Sequence, residues 1–196
     1  MKKALLIALG TVGVLIILSI LLIAPLVSLN NRLVALQENV HSAWGQVETV
    51  LQRRYDLIPN LVQTVKGYAK HESGILEEVT RLRSQWGSAG TAAEKVQAAG
   101  QLEGSLARLL LVVERYPELK ADARFRDLQY ELAGTENRIA VERQRYNDAA
   151  RAYNTAVRQF PGSLVAAWRG LAADATYFEA ASTAKEAPKV DFDAEK

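Results

Sequence analysis

Cysteine is absent from the 196-residue chain. That excludes a disulfide-stapled scaffold, a thiolate metal site, a cysteine nucleophile and a lipid-modified amino-terminal cysteine, and it leaves the redox compartment open. Only five prolines are present, and hydrophobic residues make up 49%, which excludes collagenous, low-complexity and disordered classes. The two histidines, His41 and His71, have no partner at metal-ligand spacing, so no metal or other cofactor is expected. The Gly87-Ser88-Ala89-Gly90-Thr91 segment lacks the Lys-Ser/Thr pair of a phosphate-binding loop, and no serine, histidine and acid fall into a nucleophilic motif. Charge of one sign is also scarce. Lys2 and Lys3 hold the whole net charge of +2, because 22 basic and 22 acidic residues remain from Ala4 onward. A neutral domain whose arginines alternate with acids predicts no nucleic-acid partner.

What is abundant lies first at the amino terminus. From Ala4 to Leu29 there are 26 residues without a charge, interrupted only by Gly10, Thr11, Gly13, Ser19, Pro25 and Ser28. As a helix this run measures about 39 Å, enough to cross a hydrocarbon core of about 30 Å with tilt. It is too long for the apolar region of a secretory signal and ends in Pro-Leu-Val-Ser-Leu-Asn-Asn, so an uncleaved anchor is expected over residues 1–29. Lys2 and Lys3 precede the span, and Arg32 is the first basic residue after it. The positive flank predicts a cytoplasmic amino terminus and an exported domain.

Beyond Asn30 the periodicity is helical. Leu33, Leu36, Val40, Trp44, Val47, Leu51, Ile58, Leu61, Val65, Tyr68, Ile75, Val79, Leu82 and Trp86 keep one approximate phase, which predicts one long helix or two in series. Pro59 is the candidate break, as a kink or as a turn. Thr91 and Glu94 have capping-box spacing after a Gly-Ser-Ala-Gly break and start the next helix. Its apolar face runs from Ala92 to Tyr116, Pro117 ends it, and Gly100 and Gly104 would suit close packing by a neighbour. Phe125, Leu132, Ile139, Tyr146, Tyr153 and Phe160 recur every seven residues, with Leu128, Thr135, Glu142, Ala149 and Ala156 as companions. This is a coiled-coil seam stopped by Pro161-Gly162. A shorter amphipathic stretch follows through Trp168 and Phe178, and residues 184–196 read as a mobile, charged tail. Within that tail Pro188 to Phe192 could be read by a partner through strand addition, although a plain tail is the simpler reading.

The fold class is therefore all-α: an amino-terminal transmembrane helix followed, over residues 30–183, by an antiparallel four-helix-type bundle. Glu142 in the seam requires either a cationic partner such as Arg53 or Arg54, or a small rotation that brings it to water.

Two polar segments stand out on these striped helices. One runs from Arg53-Arg54-Tyr55-Asp56-Leu57-Ile58-Pro59-Asn60 to His71-Glu72. The other is Thr135-Glu136-Asn137-Arg138-Ile139-Ala140-Val141-Glu142-Arg143-Gln144-Arg145-Tyr146-Asn147, followed by Tyr153-Asn154 and Phe160-Pro161. Together they resemble the signature of the LemA family of membrane-anchored helical proteins. The matching positions are Arg53, Arg54, Asp56, Pro59, Asn60, Lys66, Tyr68, His71, Glu72, Glu136, Asn137, Arg138, Tyr146, Asn147, Tyr153 and Asn154. The stretch after Phe160 departs from the pattern. The resemblance implies a bacterial inner-membrane protein with one span and an antiparallel bundle, and relatives associated with membrane remodelling and membrane-protease gene neighbourhoods. It implies no reaction.

Arginine forks match carboxylates, so Arg53 or Arg54 with Glu136 or Glu142 could set the register between helices. The alternative is a polar groove, drawn from Arg53, Arg54, Asp56, Asn60, Glu136, Asn137, Arg138, Glu142, Tyr146 and Asn147, that receives a peptide or another membrane protein. The expected function is a non-enzymatic, membrane-tethered scaffold or interaction module acting on membrane proteins or on its own copies. The competing reading, a hydrolase or lipid-active enzyme using interior acids, lacks the Glu-x-x-His pairs of bundle metal sites.

Overall fold

The computed structural model describes residues 2–173 together with Tyr177 and Phe178, with side chains from residue 9. The expected tail at 184–196, including Pro188 to Phe192, lies outside the described residues. The elements are α1 (Lys2–Tyr68), α2 (Ser73–Ser88), α3 (Ala92–Val113), α4 (Pro117–Ala121), α5 (Ala123–Arg158) and α6 (Gly162–Arg169). The protein is all-α, with no strand among the described residues. The chain divides into two compact units. The first comprises Met1–Trp44 and Tyr146–Ala175, the second Gly45–Arg145 and Thr176–Lys196.

α1 passes through Pro59 without a turn. Proline has no N–H, so the carbonyl four residues earlier loses its helical donor. That carbonyl belongs to Tyr55, and Arg83 Nε of α2 donates to it at 3.1 Å. The break comes later, at residues 69–72, where Glu72 N–H bonds Ala69 O at 3.1 Å. The single phase read from Leu33 to Trp86 is therefore interrupted there, and Leu76, rather than Ile75, is the first buried residue of α2.

The second unit holds most of the core. Val47, Leu51, Tyr55, Ile58, Leu61 and Val65 of α1, Val79, Leu82 and Trp86 of α2, Leu102 and Leu109 of α3, and Phe125 and Ile139 of α5 are all buried. Tyr55 stacks on Trp86 with ring centroids 4.1 Å apart, and Lys95 lies over the same indole at 5.3 Å. Cross-helix pairs fix the directions. Tyr68 meets Asp122 and Arg54 meets Glu136, so the partner's number falls as that of α1 rises and the two helices are antiparallel. Glu78 meets Ser105 and Arg108, and Glu72 just before α2 meets Arg115 just after α3, so the partner's number rises as that of α2 falls and α2 and α3 form an antiparallel hairpin.

α3 begins at the capping box: Glu94 N–H donates to Thr91 Oγ1 at 3.2 Å and Thr91 N–H to Glu94 Oε2 at 3.1 Å. Gly100 and Gly104, expected against a neighbour, have nothing within 4 Å of a Cβ built on them. Pro117 opens α4 at its first turn, a position where the missing donor is harmless. Asp122 Oδ1 then accepts from Phe125 N–H at 3.0 Å to start α5.

In α5, Phe125, Ile139, Tyr146 and Tyr153 are buried as the heptad predicts, but the companion positions drift. Ala150 and Val157 are buried where Ala149 and Ala156 were expected, and Phe160 is 79% exposed beyond the helix end. A straight helix turns once per 3.6 residues, so a strict seven-residue stripe slips by about 20° per heptad.

The first unit has a smaller core of Leu33, Tyr153, Val157, Val165 and Ala166. α6 closes with Gly170 at φ 67°, the left-handed cap that glycine adopts without strain. Helix therefore stops at Arg169, short of the stretch expected to reach Phe178. A Cβ on Gly162 would collide with the Ala156 carbonyl oxygen, so only glycine fits that approach.

Candidate functional site

The second unit gathers its charges between helices. Arg54, only 8% exposed within the apolar stripe of α1, donates through Nη1 to Glu136 Oε2 of α5 at 2.5 Å. Arg143 of α5 donates from both terminal nitrogens to Glu103 Oε2 of α3 at 3.3 Å, and its guanidinium lies 5.3 Å from the Phe178 ring. Lys95 of α3 pairs with Glu48 of α1, and Arg108 of α3 with Glu78 of α2 at 2.8 Å. At the turn between α1 and α2, Glu72 accepts from Arg115 at 2.7 Å and from the Tyr116 hydroxyl at 3.2 Å.

Of the expected residues, Arg54 and Glu136 are brought together. Arg53 and Asn60 are exposed, and Asp56, also exposed, accepts from Gln52 one turn earlier at 2.8 Å. Asn137 and Arg138 face outward on α5. Glu142 resolves differently from either expectation. Its side chain is only 15% exposed, and its partner is Arg145 on its own helix at 2.8 Å, rather than Arg53 or Arg54. Tyr146 and Asn147 fall in the first unit, where the Tyr146 ring meets Trp44 edge-on at 5.6 Å.

Burial pushes the Tyr55 phenol well above its ordinary value, with Glu103 adding to the rise and Arg54 and Arg143 opposing it. The Tyr55 hydroxyl, the Trp86 indole nitrogen and the Nε atoms of Arg54 and Arg143 are buried without a hydrogen-bond partner among the described residues. Such groups weaken an interior. Elsewhere the acids are stabilised in ionised form. The Phe125 amide and the Tyr68 hydroxyl hold Asp122 below its usual range, and the Gly90 and Thr91 amides do the same for Glu94.

Beside the Arg54–Glu136 pair lies an open groove of about 730 Å³. Leu61, Leu106, Leu110, Tyr130 and Leu132 line its apolar wall, while Arg54, Glu103, Lys120, Arg126 and Glu136 supply charge of both signs. Tyr130 is 77% exposed at its rim. Among the described residues no cluster of three or more His, Asp or Glu is placed to hold a metal. Arg83, Glu103 and Arg143 were not singled out from the sequence as site residues. The signal for Arg83 was Pro59 itself, whose missing donor leaves the Tyr55 carbonyl in need of one.

The apolar amino-terminal part of α1 is long and apolar enough to cross a membrane, and none of its most apolar stretch is buried. The chain is 28% identical to Magnetosome protein MamQ 2 of Paramagnetospirillum magneticum over 187 residues, covering 80% of this chain and 69% of that protein. It is 25% identical to Magnetosome protein MamQ of Magnetospirillum gryphiswaldense over the same shares of the two chains. Protein LemA of Metamycoplasma hominis is 24% identical over 164 residues, 83% of this chain and 73% of the relative. None of these three bears an enzyme's name. The pattern that defines the LemA family matches residues 43–192, from the end of the first unit's α1 segment through both polar motifs, and the chain belongs to the LemA family.

Proposed function

We propose that the protein is a single-pass scaffold of the bacterial inner membrane, with a cytoplasmic amino terminus and an exported bundle that holds another membrane protein or a second copy of itself. The observation that carries this reading is the continuity of α1. One uninterrupted helix, Lys2–Tyr68, supplies both the apolar run and the first helix of the bundle, so whatever the bundle binds is tethered at the bilayer. Lys2 and Lys3 before the run, against Arg32 after it, support the orientation. Relatives named as magnetosome proteins support a role in membrane organisation. The groove beside Arg54 and Glu136 supplies a contact surface of mixed character, an apolar wall with charged corners, which suits a peptide segment better than a small reactive substrate.

A photo-crosslinking residue in place of Tyr130 tests the scaffold. In intact membranes it is expected to form an adduct with a membrane protein or a second copy, while the same residue at exposed Arg138 forms none. A chain that stays monomeric and yields no adduct at Tyr130 contradicts the reading. Protease added to spheroplasts tests the orientation: the bundle is expected to be digested from outside, and protection would reverse the assignment.

A further inference from the structure

α6 is fixed on one side and bare on the other. Val165 and Ala166 are buried against Leu33, Tyr153 and Val157, and the Tyr153 hydroxyl donates to Ala172 O at 3.2 Å just beyond the helix. The opposite face carries Leu164 at 59% and Trp168 at 82% exposure, with Phe160 at 79% immediately before the helix. Exposed large apolar groups grouped on a short, anchored helix mark a binding surface.

The position of that face identifies its occupant. Leu164 and Trp168 line a cavity of about 580 Å³ together with Ile23, Leu26 and Val27, the last turns of the apolar run, and with Asn30 and Arg169. Leu26 and Val27 are themselves about half exposed. The cavity thus extends along the last turns of the uncharged run as far as Asn30, where the run gives way to Asn30-Asn31-Arg32, on the span reading the level of the bilayer's hydrocarbon boundary. Tryptophan is enriched at that level because its ring is apolar and its N–H polar. Among the described residues, the one charged side chain on the cavity wall is Arg169, and a guanidinium there faces the phosphate layer, to which it can donate in pairs.

We infer that α6 is an interfacial helix: Leu164 and Trp168 enter the upper acyl region beside the end of the span, and Arg169 engages lipid phosphate. The partner is the phospholipid bilayer. The inference rests on the reading of α1 as a membrane span, and the two fail in distinguishable ways.

The full chain in nanodiscs containing lipids brominated either near the top or near the end of the acyl chains tests it. The Trp168 signal is the difference between the native chain and Trp168→Phe, which removes the exposed indole and leaves Trp44 and Trp86. Shallow bromine is expected to quench roughly half of that signal and to quench more than deep bromine does. In the Trp168→Phe background, Leu15→Trp reports on the span and is expected to be quenched most by deep bromine. If Leu15→Trp is quenched while Trp168 responds only to aqueous iodide, α6 stands in water and the inference is overturned with the span intact. If Trp168 is shielded from both bromine and iodide, protein covers it, as in self-association, and the lipid assignment is again overturned. Deep bromine acting best on Trp168 contradicts the interfacial depth. If Leu15→Trp escapes all bromine, the span reading fails and takes this inference with it.

Discussion

The two units solve the problem of helix packing in opposite ways. In the second unit the helices are tied by charge. Arg54–Glu136, Arg143–Glu103, Lys95–Glu48, Arg108–Glu78 and Arg115–Glu72 each join different segments of the fold. In the first unit the ion pair among the described residues, Arg151–Asp148 at 3.2 Å, lies within α5, and the core is a handful of apolar side chains under a largely bare surface. Paired charges between helices can specify a register where apolar stripes alone would fit more than one. For the first unit, the proposed placement of the apolar run and α6 against lipid leaves apolar packing rather than ion pairs to hold the helices.

The comparison breaks most visibly where the second unit is densest. Ile139 and Phe125 are fully buried, so Phe125→Ala is expected to cost about 3–5 kcal/mol and Ile139→Ala about 2–5 kcal/mol, read as lower denaturant midpoints of the bundle. A middle-sized effect probes the repaired carbonyl. Arg83→Met is expected to cost about 1 kcal/mol, because the Tyr55 carbonyl loses its donor. The same change in a Pro59→Ala background should cost clearly less, because alanine at that position supplies the helical N–H that proline lacks. A double-mutant cycle measures the coupling, and equal costs in both backgrounds contradict the account.

Thr91→Ala is expected to remove about 1 kcal/mol through the lost cap. The pH dependence follows from the same contacts. Glu94 and Asp122 are held below their ordinary values in the fold, so their contribution is complete above the usual carboxylate range. It is lost as pH falls from there through the depressed folded-state values. At the other end burial raises Tyr55 above its ordinary 10.0. Its contribution is intact below that pH and is lost as pH rises beyond it, so alkaline unfolding and Tyr55 ionisation should coincide in the near-ultraviolet absorbance of the phenolate. The smallest effect belongs to the first unit. Leu164→Ser changes a side chain that is 59% uncovered by the rest of the fold, and it is expected to shift the stability of the second unit by less than about 0.5 kcal/mol.

Much of this was legible because it obeys local rules. The capping box, a break before it (at Ala89 and Gly90, since α2 runs through Gly87 to Ser88), the long apolar amino-terminal helix and most of the α5 seam follow from spacing that any helix must respect. The turn at 69–72 escaped because the residues on either side kept an apparent phase, and proline drew attention to the wrong place. Pro59 costs one hydrogen bond, and a long side chain from another helix replaces it, which no local pattern reveals. The drift from Ala149 to Ala150 required the true helical period rather than the ideal heptad. For the polar residues, sequence supplied the candidates but not the pairing: Arg54 chose Glu136, and Glu142 turned to Arg145 on its own helix. Such choices depend on register between segments that lie 82 residues apart.

The central claim, that charge pairing sets register in the second unit, is tested most directly by exchanging the charges of Arg54 and Glu136. Arg54→Glu and Glu136→Arg each place like charges together at a site where Arg54 is buried. Each is expected to lower the denaturant midpoint, by about 2–4 kcal/mol in free energy. The double exchange is expected to recover at least half of the loss. If neither single reversal changes the midpoint, or the double variant loses as much as the two singles combined, the pair does not hold the bundle in register.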